Sequence, residues 1–238
     1  MKNLWVVLAL IVTFFGYNHF SPEWGGPTED VEKVRAETEQ RARMRAAALP
    51  PNFAVPDSFA AAVELLRTVT GSAPEPFVGP RDDGPDVQTT GFSFEVKSDS
   101  LAHAIADTAA VLFRAKGFTL FVFGAGSIGV GPGTLVLTPD REPYHAIEAI
   151  GTSGGFIFPT TPRVVKWLRA LDTDQPFVIT GIGGDYIEGR FTTPLKDVRA
   201  LAKRFYGFCP DIVRQGTRSV ANLELELRES GMLYCWWD

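Results

Sequence analysis

The chain ends in Leu233-Tyr234-Cys235-Trp236-Trp237-Asp238, and this ending constrains the fold more than any other segment. Two of its five tryptophans and both of its cysteines fall at or after Cys209. A frayed terminus gains nothing from large aromatic surfaces, so a terminus of this composition is expected to fold back into a core as a closing strand. The residues before it agree. Ser219 is placed to cap a helix carrying Val220, Leu223 and Leu227, Gly231 is placed to end that helix, and Met232 to Trp237 reads as the terminal strand.

Upstream, helical and strand patterns alternate irregularly. Asp57 or Ser58 caps a helix to about Thr70, with Phe59, Val63, Leu65 and Leu66 on it and Gly71 as its stop. Residues 71–90 are rich in Gly, Pro and Asp and read as loop. Phe92-Ser93-Phe94-Glu95-Val96 alternates as a strand does. Ser98, Asp99 or Ser100 then caps a helix with Leu101, Ile105, Ala109, Leu112 and Phe113 on one face. Buried strands follow at Phe118–Phe123 and Thr134–Leu137.

Two later helices are predicted to begin alike. Thr160-Thr161-Pro162 opens Val164, Val165, Leu168 and Leu171, and Thr192-Thr193-Pro194 opens Leu195, Val198, Leu201 and Phe205. Each sets a threonine N-cap before a proline at the first helical position. Between them Phe177–Thr180 and Tyr186–Phe191 predict a hairpin around Gly183-Gly184-Asp185. The fold class is therefore α+β, with a mixed or largely antiparallel sheet flanked by helices. Residues 53–238 are enough for one globular domain.

That domain is preceded by an N-terminal hydrophobic helix and a charged helical spacer. Residues 4–17 carry no charge behind Lys2, and a helix over 1–20 reaches ~30 Å, the thickness of a bilayer's hydrocarbon core. Tyr17 to Gly26 offers no good pair of small residues for signal cleavage. A single uncleaved signal anchor, a transmembrane helix, is the expectation for 1–20. A cleaved signal peptide, which would leave the body secreted, and a buried hydrophobic helix are the alternatives. Lys2 precedes the run and Glu23, Glu29, Asp30 and Glu32 follow it, which places the body on the exoplasmic or periplasmic side. Residues 21–52 read as the spacer. Thr28 caps it, acids lead, Arg41, Arg43 and Arg45 trail, and Leu49-Pro50-Pro51 ends it. It sustains no apolar heptad, so a solvated arm is expected, with a partner-binding helix as the alternative.

Composition excludes several function classes. A net charge of −5 without a dense basic run beyond the mixed stretch Arg41 to Arg45 speaks against nucleic acid. Two cysteines without a CxxC, and three scattered histidines (His19, His103, His145), give no metal-site pattern. Gly124-Ala125-Gly126-Ser127-Ile128-Gly129 fits GxGxxG, but Val130-Gly131-Pro132-Gly133 prevents the helix that would hold a pyrophosphate. A glycine-rich hairpin is expected there, with an anion-binding backbone nest as the alternative, and no cofactor.

The remaining candidates each have a structural reading beside the chemical one. Gly151, Thr152 and Gly154, with Asp185, are candidate ligand-binding residues because dense glycines permit close backbone approach, or they form a plain turn. Cys209 as a nucleophile needs a nearby base, for which His145 is the candidate; otherwise it is a buried structural thiol. In an oxidising compartment Cys209 and Cys235 are candidates for a disulfide. Asp185, Glu188 and Asp211 are the best-placed carboxylates. Asp185 and Asp211 serve either as an acid/base pair or as turn caps.

The blocks Phe208-Cys209-Pro210-Asp211-Ile212-Val213-Arg214-Gln215-Gly216 and Leu233 to Asp238 resemble the bacterial domain-of-unknown-function family 4253 (DUF4253). So does Val165 to Leu171 followed by Phe177 to Phe191, with Gly183-Gly184-Asp185. The turn Gly151-Thr152-Ser153-Gly154 looks like that family's Gly-Thr-x-Gly signature, although Gly155 or Phe156 stands where an asparagine is usual. The resemblance spans roughly 134–238 and brings no established activity with it. The leading expectation is a membrane-tethered module that binds a protein partner or a small ligand. The alternative is a hydrolase using Asp185 and Asp211, with His145 or Cys209. A concave pocket that gathers those side chains would favour the enzyme.

Overall fold

The structure, a computed structural model, describes residues 31–79, 87–124, 131–154 and 159–237. Seven strands form one mixed sheet: β1 (Glu75–Gly79), β2 (Val87–Val96), β3 (Thr119–Phe123), β4 (Gly133–Thr138), β5 (Phe177–Ile182), β6 (Tyr186–Phe191) and β7 (Met232–Trp236). Their order is β1-β2-β4-β3-β5-β6-β7. Only β3 and β5 run parallel; every other neighbouring pair is antiparallel. The expected α+β class is what forms.

Strand alternation assigns the two faces of the sheet. Leu120, Val122, Leu135 and Leu137 enter one core with Phe94 and Val96, while Phe121 and Val136 enter the other. Strands β3 and β4 are thus buried on both sides, which is why they read as unbroken apolar runs. The first core is covered by α2 (Phe59–Thr70) and α3 (Asp99–Ala115), the second by α4 (Tyr144–Ile150) and α5 (Thr161–Asp174). On α3, Ala102, Ala106 and Ala109 face the sheet beside Ile105 and Phe113, so the helix sits close to it. Helix α6 (Val198–Phe208), a π-helix (Ile212–Thr217) and α7 (Val220–Ser230) complete the second core.

The serine caps hold as read. Ser58, Ser98 and Ser219 each accept a hydrogen bond from the backbone N–H three residues on, at 3.1 to 3.3 Å. Gly71 and Gly231 end their helices in the left-handed conformation. Two expectations are corrected. Residues 71–90 are not all loop: Glu75–Gly79 pairs with β2 as an edge strand, the place where Pro76 is tolerated. Thr193-Pro194 does not start a helix. The Gln175 side-chain amide donates to the Thr193 carbonyl and hydroxyl and to the Pro194 carbonyl, fixing them in a loop. Helix α6 therefore begins at Val198, where the Asp197 carboxylate accepts from the Ala200 N–H at 2.9 Å.

The tail does what its composition demands. β7 pairs along β6, Leu233 and Cys235 are fully buried, and Trp237 is 2% exposed. Phe208 stacks flat on Trp167 and meets Trp237 edge-on.

Helix α1 (Val31–Ala47) lies against α3 and α7 without burying any residue. Polar contacts hold it: Arg35 to Glu229 at 3.2 Å, Arg45 to Asp107 at 3.9 Å, and the Thr108 hydroxyl to the Arg45 carbonyl at 3.2 Å. The apolar run over 1–20 and the Thr28 cap lie outside the described residues. Among the described residues no helix is long and apolar enough to cross a membrane.

Candidate functional site

Two places on strand β6 bring chemistry-bearing residues together. The first lies at its start, where the glycine turns singled out in the sequence converge. Gly151 closes α4 in the left-handed conformation. The buried Thr152 hydroxyl then donates to the Gly183 carbonyl at 2.7 Å, and the Ser153 N–H donates to the Gly184 carbonyl at 2.8 Å. The Gly154 N–H donates to Pro159, and the Trp237 N–H donates to the Asp185 carbonyl at 2.9 Å. Gly183 and Gly124 leave the space that the Tyr186 side chain fills; a Cβ at either position would overlap it. Gly151, Thr152, Gly154 and Asp185 are therefore brought together, as a latch whose hydroxyl and amide donors are spent on backbone carbonyls. Residues 125–130, where the glycine-rich hairpin is expected, lie outside the described residues; β3 and β4, on either side of them, pair antiparallel.

The other candidates are dispersed. His145 is 55% exposed at its side chain and faces Asp140 at 3.8 Å. Asp211 is buried just before the π-helix, and Asp185 is exposed at the hairpin turn. Cys209 and Cys235 are both buried free thiols. The Cys209 thiol donates to the Trp236 carbonyl at 2.7 Å and accepts from the Trp236 N–H at 3.2 Å, so it stitches α6 to β7. Burial, and then the neighbouring Cys209, push the Cys235 thiol well above its ordinary range, the opposite of an activated nucleophile.

The second place is a cavity of about 460 Å³. Its floor is the face of β6 and β7 opposite the second core. Register puts Glu188 beside Tyr234 and Arg190 beside Met232 on that face, while Ile187, Cys235 and Leu233 point into the core. One wall is α3, which presents Asp99, His103 and Asp107 at four-residue spacing, a single helical stripe. The opposite wall is α7 with Leu223 and Leu227, and α1 roofs the cavity with Arg41, Met44 and Arg45.

The polar half of this cavity is built around His103. Its Nδ1 lies 3.0 Å from a Glu188 oxygen and its Nε2 3.5 Å from an Asp99 oxygen. Gly181 on β5, paired with Glu188, makes that reach available; a Cβ there would meet the Glu188 carboxylate at 2.8 Å. A bulge between Ile179 and Gly181 adjusts the strand at that point. Burial alone would lower the affinity of His103 for its proton, but the hydrogen bond and charge of Glu188, with Asp99 and Asp107, raise it overall. Asp107 is also raised, by burial first and by Glu188 second. Its Oδ1 and the Arg190 NH1 are buried without a hydrogen-bond partner. Tyr234 is held protonated by burial and by Glu188. Among the described residues no group of His, Cys, Asp and Glu converges as a metal site needs to.

None of Asp185, Asp211, Cys209 or His145 borders the cavity. Of the three carboxylates singled out in the sequence, Glu188 alone does. The stripe Asp99-x3-His103-x3-Asp107 was legible in the sequence as a polar line on an otherwise apolar helix. Reading that helix for its core face alone passes over it.

Residues 134–238 match the model of a family described as a domain of unknown function (DUF4253). The match takes in the latch, β6, β7 and the α7 wall; α1 and α3 lie ahead of it. No curated protein and no solved structure gives a match.

Proposed function

We propose that the domain acts by binding a small molecule in the cavity between α1, α3, α7 and the β6–β7 floor. The observation that carries this reading is the two-sided lining. Met44, Leu223, Leu227, Met232 and Trp236 offer apolar surface, and Asp99, His103, Asp107, Glu188, Arg41 and Arg45 offer polar groups beside it. Ligand sites are commonly ~300–1,000 Å³ hollows, mostly apolar with a few oriented polar groups, and this cavity has that size and composition. Binding fits the histidine better than catalysis does. Each ring nitrogen of His103 already faces a carboxylate, which leaves neither for a substrate proton. The hydrolase reading has less support, since Asp185 and Asp211 stand outside the cavity. The apolar run over residues 1–20 supports, as part of the same reading, a domain tethered to a membrane with its body on the exoplasmic side.

The test uses 4-phenylbutan-1-ol, a neutral probe with an apolar body, titrated calorimetrically into the full-length chain in lipid nanodiscs, with empty nanodiscs as reference. One saturable site is expected in the wild type, weakened at least tenfold in Met232→Trp, which fills the cavity from the edge strand. Absence of a saturable site, or equal affinity in the variant, overturns the proposal. For the tether, alkaline extraction should leave the chain in the membrane pellet; recovery in the soluble fraction would refute it.

A further inference from the structure

We propose that one end of this cavity is a carboxylate subsite, so that its ligand is a monocarboxylate with an apolar chain or ring. This rests on the cavity reading above and names the class of molecule. Arg41 and Arg45, one helical turn apart on α1, line the cavity from the roof with the carboxylates Asp107 and Glu226, and Arg190, which does not itself border the hollow, lies on the floor strand beyond Glu188. Both other guanidiniums act on Arg45: after burial itself, the charge of Arg190 and, less strongly, that of Arg41 weaken its hold on its proton against the pull of Asp107.

The carboxylate that faces Arg45 attends it poorly. The Arg45 NH1 stands 3.9 Å from the Asp107 Oδ2, at the outer edge of an ion pair, although the two side chains are only 14% and 12% exposed. The Arg190 NH1 is buried with no acceptor at all. Buried guanidinium donors left unmatched are costly, and the planar fork of arginine matches the two oxygens of a carboxylate. The other polar end is in a different condition. Asp99 and Glu188 already share the His103 ring between them, so part of their charge is matched before any ligand arrives. At the arginine end the Arg45 guanidinium still lacks a close acceptor.

The apolar half then dictates the rest of the molecule. Leu223, Leu227, Met232 and Trp236 continue the cavity beyond the polar groups. A carboxylate with a hydrocarbon body satisfies both halves, whereas a free inorganic anion satisfies one.

Three probes of one shape separate the outcomes in the wild-type full-length chain: 4-phenylbutyrate, 4-phenylbutan-1-ol and 4-phenylbutylamine. The carboxylate is expected to bind at least tenfold more tightly than the alcohol, and the amine most weakly. Arg41→Gln and Arg45→Gln, each checked for an unchanged melting transition, are expected to bring the carboxylate down to the level of the alcohol without altering the alcohol. Equal binding of carboxylate and alcohol, or tightest binding of the amine, overturns the carboxylate subsite and leaves the cavity reading standing. Failure of all three probes removes the cavity reading and this inference with it. Because the charge series is run on the wild type, a variant that fails to fold does not blunt the test.

Discussion

The latch at the start of β6 and the cavity two residues further along it treat their polar groups in opposite ways. At the latch, the Thr152 hydroxyl and the Ser153 and Trp237 amides each find a backbone carbonyl at 2.7 to 2.9 Å. Around the cavity, the Asp107 Oδ1 and, on the floor strand, the Arg190 Nη1 are buried without a hydrogen-bond partner, and Arg45 reaches Asp107 only at 3.9 Å. A region that exists to hold a fold together spends its hydrogen bonds on itself. A region that keeps unmet donors and acceptors gives up stability and retains capacity to bind. The family match takes in the latch and the β6, β7 and α7 sides of the cavity, whereas the α1 and α3 walls lie ahead of it.

The largest expected effect removes what the two regions share. Deleting Leu233 to Asp238 takes away β7, the partner of Asp185 at the latch and the Tyr234 and Trp236 floor of the cavity. The loss of several fully buried side chains and one edge of the sheet exceeds a typical stability of ~5–15 kcal/mol. The truncated chain should show no cooperative thermal transition, and a truncated chain that melts normally would mean that the tail is no closing element.

Next come substitutions confined to the latch. Gly183→Ala drives a Cβ into the Tyr186 ring and should cost ~1–3 kcal/mol. Thr152→Val leaves the Gly183 carbonyl unpaired and should cost a similar ~1–3 kcal/mol. For a domain of this size each kcal/mol lowers Tm by ~2–4 °C. Differential scanning calorimetry decides, and a latch variant that is neutral in stability yet changes ligand uptake would exchange the roles of the two regions.

A substitution beside the cavity should move the other way. Arg190→Met replaces a half-buried arginine, one of whose guanidinium nitrogens is buried without a partner, with an apolar chain of similar length and should raise stability by ~1 kcal/mol. If the variant melts several degrees lower instead, Arg190 is a structural residue and the contrast between the regions narrows.

The smallest effect is a slope. His103 holds its proton more firmly in the folded chain than in the unfolded one, because Glu188, Asp99 and Asp107 together outweigh its burial. Its contribution is fully present below the ordinary histidine value of ~6.5 and is lost as pH rises through the raised folded value. Asp107 acts in the same direction over a lower range, since its folded value is also raised. Stability should therefore fall as pH increases above neutrality, and His103→Gln should flatten that fall. Melts from pH 6 to 9 measure it, and an unchanged slope in the variant would show that the proton is held elsewhere.

Much of this architecture was legible in the sequence because it follows from local rules. Ser58, Ser98 and Ser219 cap where a serine before an apolar helical stripe should, and the β5–β6 hairpin turns where two glycines and an aspartate permit it. What escaped reading depended on distant partners. Nothing near Thr193-Pro194 announces that Gln175, eighteen residues earlier, will hold it out of a helix. The π-helix at Ile212–Thr217 has no composition of its own, and a strand begins at Glu75 only because β2 is there to pair with it. The cavity was half visible. Its α3 stripe and Glu188 stand in the sequence at regular spacing, but their meeting across the sheet depends on the missing side chain at Gly181.

The paired hydrogen bonds between the Cys209 thiol and the Trp236 backbone have one further consequence. Cys209 and Cys235 are both wholly shielded from solvent, so no aqueous alkylating reagent reaches either until the last strand leaves the sheet. The rate at which such a reagent labels the two thiols is then a clock for opening of the closing strand, carried by the native chain without any added probe. A ligand that fills the cavity floored by β7 should slow that clock in proportion to its occupancy.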